Sequence, residues 1–345
     1  MKSNYLIAGI LISVEAPLSL NDTFAFSLYR VGEYANSTSP LHAENIEEKS
    51  IIFNDKTDSA DCVYKICLLE DEDHPLLKGS LLFQDEMNLY LDDYGETLHF
   101  FKIPLTGKLA AWCETKGARS LTIHFRPTAA PYFRNSLGCF NAASFEYILF
   151  SFGKYLFHCS YIDVDGEAVL FSAHSGGGKT THGLLWEQTG FGEMINGDRA
   201  VIEEQQRPNA CGDADSTQDP AAPPSPEKAK THLRKQEYMV HGLPIAGSSG
   251  VFKNRSLPLK AIFMLEKAPV NEVIDLPPSK QFLKVFEQLT VHTWDREFVT
   301  AATDFTAELI RHVPVKLLRC RPDSEAVDKV RGALAENDTL PAERQ

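Results

Sequence analysis

The sequence lacks the features that mark nucleic-acid-binding and disulfide-rich secreted chains. No stretch of the 345 residues is rich in Lys or Arg, and 47 acidic residues against 34 basic ones give a formal charge of -13. Because a chain that neutralises nucleic-acid phosphates needs a basic face, we expect no nucleic-acid partner. The seven cysteines are scattered without a Cys-x-x-Cys pair. This pattern favours free thiols in a reducing compartment over a disulfide framework.

Long apolar runs are also missing. No stretch approaches the roughly 20 apolar residues that a membrane-spanning helix needs, so we expect no membrane partner. The segment YLIAGILISV near the start is the one candidate for an export signal, but it runs into Glu15 without a small-residue cleavage site. We interpret it as a β-strand and expect a cytoplasmic protein.

The patterning of apolar residues divides the chain in two. Residues 1–130 alternate short apolar runs with turn-rich segments, which predicts a mainly β N-terminal domain that could recognise a substrate or partner. Residues 131–337 mix strand-like and helix-like patterns, which predicts an α/β domain, and residues 338–345 form a tail. Residues 207–230 contain five prolines and no periodic apolar positions, so we expect a disordered insertion there.

Individual elements are predicted most clearly in the second half. Apolar residues at helical spacing predict a helix over 142–152 and two more within 280–312. Residues 257–268 and 313–322 read as strands, and a closing helix is expected from about Ser324 to Ala335.

Residues 168–182, AVLFSAHSGGGKTTH, change from an apolar run to three glycines, a lysine and two threonines. A loop that binds nucleotide phosphates needs backbone N–H groups, a helix N-terminus, a lysine for the outer phosphates and a hydroxyl for Mg²⁺. Lys179 and Thr180 would supply the last two, and ATP and Mg²⁺ are therefore the expected cofactors. The predicted nucleotide-binding residues are Ser175, Gly176, Gly177, Gly178, Lys179, Thr180 and Thr181.

The first glycine of the usual G-x-x-x-x-G-K-[ST] motif is replaced by Ala173. The tripeptide G-K-T alone is a weak signal. The strand predicted before it and the helix predicted after it strengthen the interpretation, because phosphate loops join these two elements.

Phosphoryl transfer needs a second acidic position, both to hold Mg²⁺ and to act as a base toward a hydroxyl acceptor. The segment EMINGDR offers Asp198, 19 residues after Lys179. A surface turn is the alternative interpretation of the same segment. Arg199 could contact a phosphate or pair with a neighbouring carboxylate, and the sequence does not separate these two roles.

The run HCSYIDVDGEAVLFSAHSGGGKT, from His158 to Thr180, resembles the segment of HPr kinase/phosphorylase that leads into its phosphate loop. The order of parts and the spacing from His158 to Lys179 match without a gap. The resemblance covers roughly residues 140–335 and extends to the phosphoenolpyruvate carboxykinase type of core. It implies an α/β C-terminal P-loop kinase core of that type, whereas residues 1–130 do not resemble the N-terminal domain of HPr kinase.

The resemblance also implies residue roles. His158 takes the position of the family's active-site histidine near the transferred phosphate, and Lys179 and Thr180 take those of the loop lysine and the Mg²⁺-binding hydroxyl. Asp198 matches the second of two paired aspartates, so it is a predicted catalytic residue and metal ligand. The first aspartate is Gly197 here, which puts catalysis in question more than nucleotide binding.

Two alternatives could replace the missing carboxylate. Asp198 could act as the base while Thr180 and water hold the metal, or Asp163 or His174 could take one of the two roles. A second Gly/Ser-rich stretch, GLPIAGSSG at 242–250, corresponds to a loop near the active site in the resembling families. Lys253 or Arg255 after it could clamp the transferred phosphoryl group, or the two could be solvated charges on a turn.

The expected function is therefore an ATP- and Mg²⁺-dependent kinase that phosphorylates a hydroxyl of a small protein, a peptide or a small molecule. The alternatives are a nucleotide-binding regulatory module without turnover and a carboxykinase-like enzyme. HPr kinase assembles as a hexamer, which implies a homo-oligomer, but the unmatched N-terminal part leaves the assembly open.

Overall fold

Two large β-sheets and few helices make up the mixed α/β structure. The computed structural model describes residues 2–16, 24–31, 60–68, 79–85, 88–93, 96–102, 109–115, 120–126, 138, 140, 144–205, 237–245 and 247–339. In this part of the chain, no helix has the length and apolarity that a membrane span requires. The insertion expected at 207–230 and the boundary expected near residue 130 lie outside the described residues, so the division into two domains stays a prediction.

The first sheet is built from the first part of the chain. Its strands are β1 Lys2–Ile7, β2 Ile10–Glu15, β3 Arg30–Val31, β4 Cys62–Leu68, β5 Ser80–Gln84, β6 Asn88–Asp93, β7 Glu96–Lys102, β8 Leu109–Thr115 and β9 Ser120–Phe125. They lie in the order β3-β1-β2-β4-β9-β8-β7-β6-β5. All neighbours are antiparallel except that β4 is parallel to β2 and to β9. The mainly antiparallel sheet predicted from the alternating pattern is therefore present.

The segment expected to be one strand near the start is a hairpin of two. Strands β1 and β2 pair from Ile7 opposite Ile10 outward, with Ala8 and Gly9 as the turn. Both turn residues have positive φ, 51° and 76°, as tight two-residue hairpin turns require. Alanine rarely adopts this conformation, so the local sequence does not signal the turn.

The second sheet carries the candidate site. Its strands are β10 Lys154–His158, β11 Ser160–Val164, β12 Glu167–Ser172, β13 Glu193–Asn196, β14 Arg199–Gln205, β15 Glu237–His241, β16 Ser256–Lys267, β17 Glu272–Asp275 and β18 Val315–Cys320. They lie in the order β10-β14-β15-β16-β12-β11-β13, and β18 pairs with both β16 and β17. Strands β12, β16 and β18 run parallel, so their carboxyl ends share one edge.

The helices follow the predicted positions closely in the second half. They are α1 Phe24–Ser27, α2 Phe145–Ser151, α3 Lys179–Thr189, α4 Pro278–Phe286, α5 Arg296–His312 and α6 Ser324–Thr339. Helix α5 begins where the side chain of Asp295 accepts a hydrogen bond from the backbone N–H of Phe298 at 3.0 Å, a typical N-cap. Helix α6 continues beyond its expected end near residue 335.

One hydrophobic core joins the two sheets. Buried residues of the first sheet, such as Tyr5 and Ile123, belong to the same cluster as Leu149 of α2 and Leu156 and Val201 of the second sheet. Side chains buried from water stabilise the folded state by about 25 cal/mol per Å² of apolar surface. Because this surface is shared, each sheet contributes to the stability of the other.

Candidate functional site

The glycine-rich loop leaves the sheet at its centre. Strand β12 is buried from Ala168 to Ser172, and the loop follows its carboxyl end. Gly176 and Gly178 have φ values of 75° and 98°, a region that glycine enters without steric cost. Between them, the N–H of Gly177 donates to the carbonyl of His174 at 2.9 Å, and a Cβ on Gly177 would lie 2.4 Å from the Cβ of Ala173. The three glycines therefore each meet a geometric requirement.

The loop opens directly into helix α3. Gly178 is the N-cap residue, and no side chain caps the helix. The N–H groups of Lys179, Thr180 and Thr181 lie in the first turn of the helix, where no intrahelical acceptor exists. Together with the helix dipole, these groups favour a negatively charged ligand.

Lys179 lies under the loop. Lys179 is only 8% exposed, and its Nζ donates to the carbonyl of Ala173 at 2.8 Å and to that of His174 at 3.5 Å. Burial lowers the pKa of Lys179 below its ordinary value, against the opposing effect of Cys159 and Asp198. Ala173 does not have positive φ, so this position does not need the glycine that the usual motif has there.

His158 stands beside the start of the loop. It ends β10, its carbonyl accepts a hydrogen bond from the hydroxyl of Ser172 at 2.6 Å, and its N–H donates to the carbonyl of Gln288 at 2.9 Å. Its Nε2 lies 3.9 Å from Oδ1 of Asp198. Partial burial and the positive charge of Lys179 lower the pKa of His158, although Asp198 opposes the shift. The imidazole is therefore mainly neutral near pH 7 and able to accept a proton.

Asp198 is held by a buried asparagine that the sequence analysis did not single out. The Oδ1 of Asn196 accepts hydrogen bonds from the N–H groups of Asp198 and Arg199 at 2.9 and 3.0 Å. Its Nδ2 donates to the carbonyls of Leu243 and Ile245 at 3.0 and 2.9 Å. The side chain of Asn196 thus ties the turn of Asp198 to the second Gly/Ser-rich stretch. The Asn-Gly-Asp sequence was the available signal, but it marks only a turn.

The turn 247–249 packs against both positions of the expected carboxylate pair. A Cβ on Gly197 would lie 2.1 Å from the hydroxyl of Ser249, and one on Gly247 would lie 2.6 Å from the Cβ of Asp198. A carboxylate at position 197 does not fit this arrangement. The second Gly/Ser-rich stretch therefore lies beside Asp198, and Ser249 fills the space beside Gly197.

Arg199 forms the second charged contact of Asp198. Its Nε lies 3.2 Å from Oδ2 of Asp198. This contact favours the ion-pair role that the sequence left open for Arg199.

The structure corrects the roles considered for Asp163, Lys253 and Arg255. Asp163 pairs with Ala168, at the opposite end of β12 from the loop. Arg255 donates to Asp163 and Glu193 at 2.6 and 2.7 Å, and Lys253 donates to Glu193 at 2.7 Å. These charges form a cluster at the far ends of β11 and β12, four residues or about 13 Å from the loop. Their ion pairs and this distance from the loop argue against the roles of a catalytic carboxylate and of a phosphoryl clamp that the sequence left open.

His174, the other alternative for the missing carboxylate, lies in the loop itself. Its side chain is 84% exposed, and its Nε2 lies 3.9 Å from the carboxylate of Glu287. His174 therefore faces solvent over the loop.

The site as a whole combines groups of different chemistry within one region. It contains backbone N–H groups at a helix N-terminus, a buried ammonium, a half-buried imidazole and a carboxylate. The glycine cradle and this donor set suit a bound polyphosphate. The structure thus brings the predicted His158, Lys179 and Asp198 together.

Comparisons with known proteins add little to this geometry. No protein-family model matches the chain, and no curated protein matches it. Among solved structures, one weak neighbour is the Hpr(Ser) kinase/phosphatase from Coxiella burnetii, at 12% identity over 53% of this chain and 98% of that chain. The TM-score is 0.26, which is too low to establish a common fold.

Proposed function

We propose that this protein is an ATP- and Mg²⁺-dependent kinase that transfers the γ-phosphoryl group to a hydroxyl of a small protein, a peptide or a small molecule. The observation that carries the proposal is the buried Lys179, whose Nζ donates to the loop carbonyls of Ala173 and His174 and whose charge acts on His158 and interacts with Asp198. Lys179 is 8% exposed. A buried ammonium needs compensation of its charge, which the neutral carbonyls of Ala173 and His174 supply only in part and which the phosphates of a nucleotide would complete.

In the proposed reaction, the glycine-rich loop and the start of α3 bind the phosphoryl donor. Residues 175–181 would bind the phosphates through their N–H groups, and Lys179 would neutralise the outer phosphates. Mg²⁺ would be held by Thr180, Asp198, the phosphates and water, which is how proteins usually hold this ion. When bound, Mg²⁺ supplies charge neutralisation on the phosphates.

His158 and Asp198 act on the hydroxyl that accepts the phosphoryl group. The oxygen of the acceptor hydroxyl forms a bond to the γ-phosphorus, the bond from that phosphorus to the β–γ bridging oxygen breaks, and ADP leaves. The hydroxyl proton goes to Asp198 or to Nε2 of His158. The lowered pKa of His158 keeps a proton-accepting nitrogen available near neutral pH.

A second candidate function is a nucleotide-binding regulatory module without turnover. Gly197 favours it, because the paired carboxylate of the resembling family is absent and Ser249 fills its place. Both candidates require nucleotide binding, and only the kinase requires Asp198 for transfer.

The first test is calorimetric binding of Mg²⁺-ATP to the wild type, to Lys179→Ala and to the control Lys329→Ala, whose lysine is exposed on α6. The proposal expects binding by the wild type and the control and loss of binding in Lys179→Ala. The same samples then receive γ-labelled ATP with and without cell extract. Label transferred by the wild type but not by Asp198→Asn supports the kinase, and binding without transfer supports the regulatory module. Absence of binding to the wild type refutes both.

The first sheet is proposed to recognise the acceptor. The hydroxyl of Tyr29 donates to the carbonyl of Lys253 at 3.0 Å, and the side chain of Asn254 donates to the carbonyl of Leu28 at 3.1 Å. These contacts link the first part of the chain to the segment that follows the turn at 247–249. Deleting residues 1–130 would also uncover the shared core, so substitutions on the first sheet are the better test of recognition.

A further inference from the structure

A pocket of about 370 Å³ opens beside the glycine-rich loop. Residues 176–178 form one wall, and helix α3 forms the next with Thr181, His182 and Leu185. The remaining walls come from the carboxyl end of β16 and from the residues that follow β18. Ligands of open α/β sheets bind at this edge, outside the carboxyl ends of parallel strands.

The pocket and the His158–Asp198 pair lie on opposite sides of the loop. Strand β12, which carries the loop, has β16 and then β18 on one side. On its other side are β11 and then β13. His158 lies two residues before β11 and Asp198 two residues after β13, and the N–H of Cys159 donates to the carbonyl of Asp198 at 3.1 Å. A ligand whose phosphates cross the loop therefore has room for one end in the pocket and the other end at the pair.

The walls of the pocket suit a flat apolar group. Leu185 and Leu265 contribute partly buried aliphatic side chains. Arg321 is fixed in the wall because its guanidinium donates to Asp323 and Glu325 at 2.8 and 2.7 Å. Small-molecule sites are mostly apolar cavities of this size with a few placed polar groups.

One buried polar atom in the pocket lining lacks a partner among the described residues, Nδ1 of His182. The Nε1–H of Trp186 donates to Nε2 of His182 at 3.2 Å. Because an indole nitrogen only donates, this contact assigns the ring proton of the neutral histidine to Nδ1. His182 is 3% exposed, and an unpaired buried donor costs free energy that an incoming acceptor would recover.

We infer that this pocket binds the nucleoside of the nucleotide, and that an acceptor atom of the nucleoside takes the Nδ1–H of His182. The inference rests on the proposed function, since the loop must bind the phosphates of the same molecule. It also sets the direction of the ligand, with the base toward β18 and the γ-phosphate toward His158. The acceptor hydroxyl then approaches from the side of Asp198.

The test compares Mg²⁺-ATP with Mg²⁺-tripolyphosphate by calorimetry, because the second ligand has the phosphates without the nucleoside. Ala268 lines the pocket, so Ala268→Phe fills it. The control is Ala335→Phe, whose alanine is exposed on α6. We expect Ala268→Phe to weaken the affinity for ATP at least tenfold and to leave the affinity for tripolyphosphate within twofold of the wild type. Lys179→Ala should weaken both ligands.

A second measurement on the wild type does not depend on the folding of a variant. Long-range ¹H–¹⁵N spectra report the Nδ1 resonance of His182, and ATP should shift it whereas tripolyphosphate should not. Three results would overturn the inference and still be compatible with a phosphate-binding loop. The wild type could bind ATP and tripolyphosphate with equal affinity, Ala268→Phe could leave ATP binding unchanged, or Ala268→Phe could weaken the binding of both ligands equally. Failure of both ligands to bind the wild type would overturn the proposed function as well.

Discussion

The Nζ of Lys179 donates a 2.8 Å hydrogen bond to the carbonyl oxygen of Ala173, across the base of the glycine-rich loop. This contact uses the backbone of Ala173, so it does not depend on the side chain at that position. It shows why the departure from the usual loop sequence leaves the lysine in place under the loop.

Gly177→Ala should disrupt the loop. The added Cβ would lie 2.4 Å from the Cβ of Ala173 and 2.9 Å from the carbonyl oxygen of His174. Because backbone must move to relieve this contact, we expect a loss of ATP affinity of about tenfold or more, equivalent to about 1.4 kcal/mol. Calorimetry with Mg²⁺-ATP measures the change.

Gly332→Ala is the matched control for Gly177→Ala. Gly332 lies within α6 with nothing near its ideal Cβ. Alanine should raise the free energy of unfolding by about 0.5–1 kcal/mol, because glycine is the more flexible residue in the unfolded chain. Full ATP affinity in both variants would contradict the role given to the loop.

Gly197→Asp should not restore a productive carboxylate pair. Its Cβ would lie 2.1 Å from the hydroxyl and 2.5 Å from the Cβ of Ser249, so we expect a loss of about 1–3 kcal/mol in the free energy of unfolding. Ser249→Gly in the same chain should recover part of that loss, since it removes the clashing atoms. Denaturant unfolding of the two single variants and the double variant gives the coupling. Additive effects would show that Ser249 does not occupy the place of a second carboxylate.

Asn196→Asp should destabilise the turn that presents Asp198. The new carboxylate has the same shape, but it cannot donate to the carbonyls of Leu243 and Ile245 as the Nδ2 of Asn196 does. Leaving buried acceptors unpaired costs about 1–3 kcal/mol each. We expect a loss of about 2–4 kcal/mol by denaturant unfolding, together with lower transfer activity.

Asn254→Asp provides the comparison for Asn196→Asp. Asn254 makes one exposed hydrogen bond, to the carbonyl of Leu28, so its change should stay within about 0.5 kcal/mol. Similar losses in the two variants would mean that the buried contacts of Asn196 do not hold the turn.

The pKa of His158, measured by NMR titration of the ligand-free protein, should lie below its ordinary value of 6.5. Burial disfavours the charged ring, and so does the positive charge of Lys179. Lys179→Ala removes that charge and should therefore raise the pKa of His158. Since the folded-state pKa is below the unfolded one, this group lowers stability as the pH falls through the unfolded value, and it is neutral to stability above it.

Lys329→Ala should leave the pKa of His158 unchanged, because Lys329 lies on the exposed face of α6. A wild-type pKa at or above 6.5, or a fall in Lys179→Ala, would contradict the electrostatics described for the pair.

The sequence was informative where local patterns decide the structure. The apolar run of β12, the three glycines and the start of α3 follow one another along the chain, and the structure contains them in the predicted order. Helix α5 was predicted because its buried residues recur at helical spacing, from Phe298 to Leu309. In contrast, nothing in the local sequence signals the positive φ of Ala8. The segment near the start was therefore predicted as one strand, whereas the structure has a hairpin of two strands there.

The partners of charged residues were the least predictable from the sequence. Asp163, Lys253 and Arg255 have the chemistry of catalytic groups, yet their ion-pair partners lie 60–92 residues away in the chain. Arg255 and Asp163, for example, are separated by 92 positions. A long side chain can pair with any carboxylate that the fold brings near, so composition does not select its partner.

The sequence by itself determined the helices of the second half, strands β12, β16 and β18, and the succession of strand, glycine-rich loop and helix, because propensity, glycine content and periodicity act between near neighbours. Only the tertiary structure decided that His158 and Asp198 stand together, that Ser249 fills the space beside Gly197, and that a pocket opens on the far side of β12. These relationships depend on which strands pair, and strand pairing is set by the packing of the whole core.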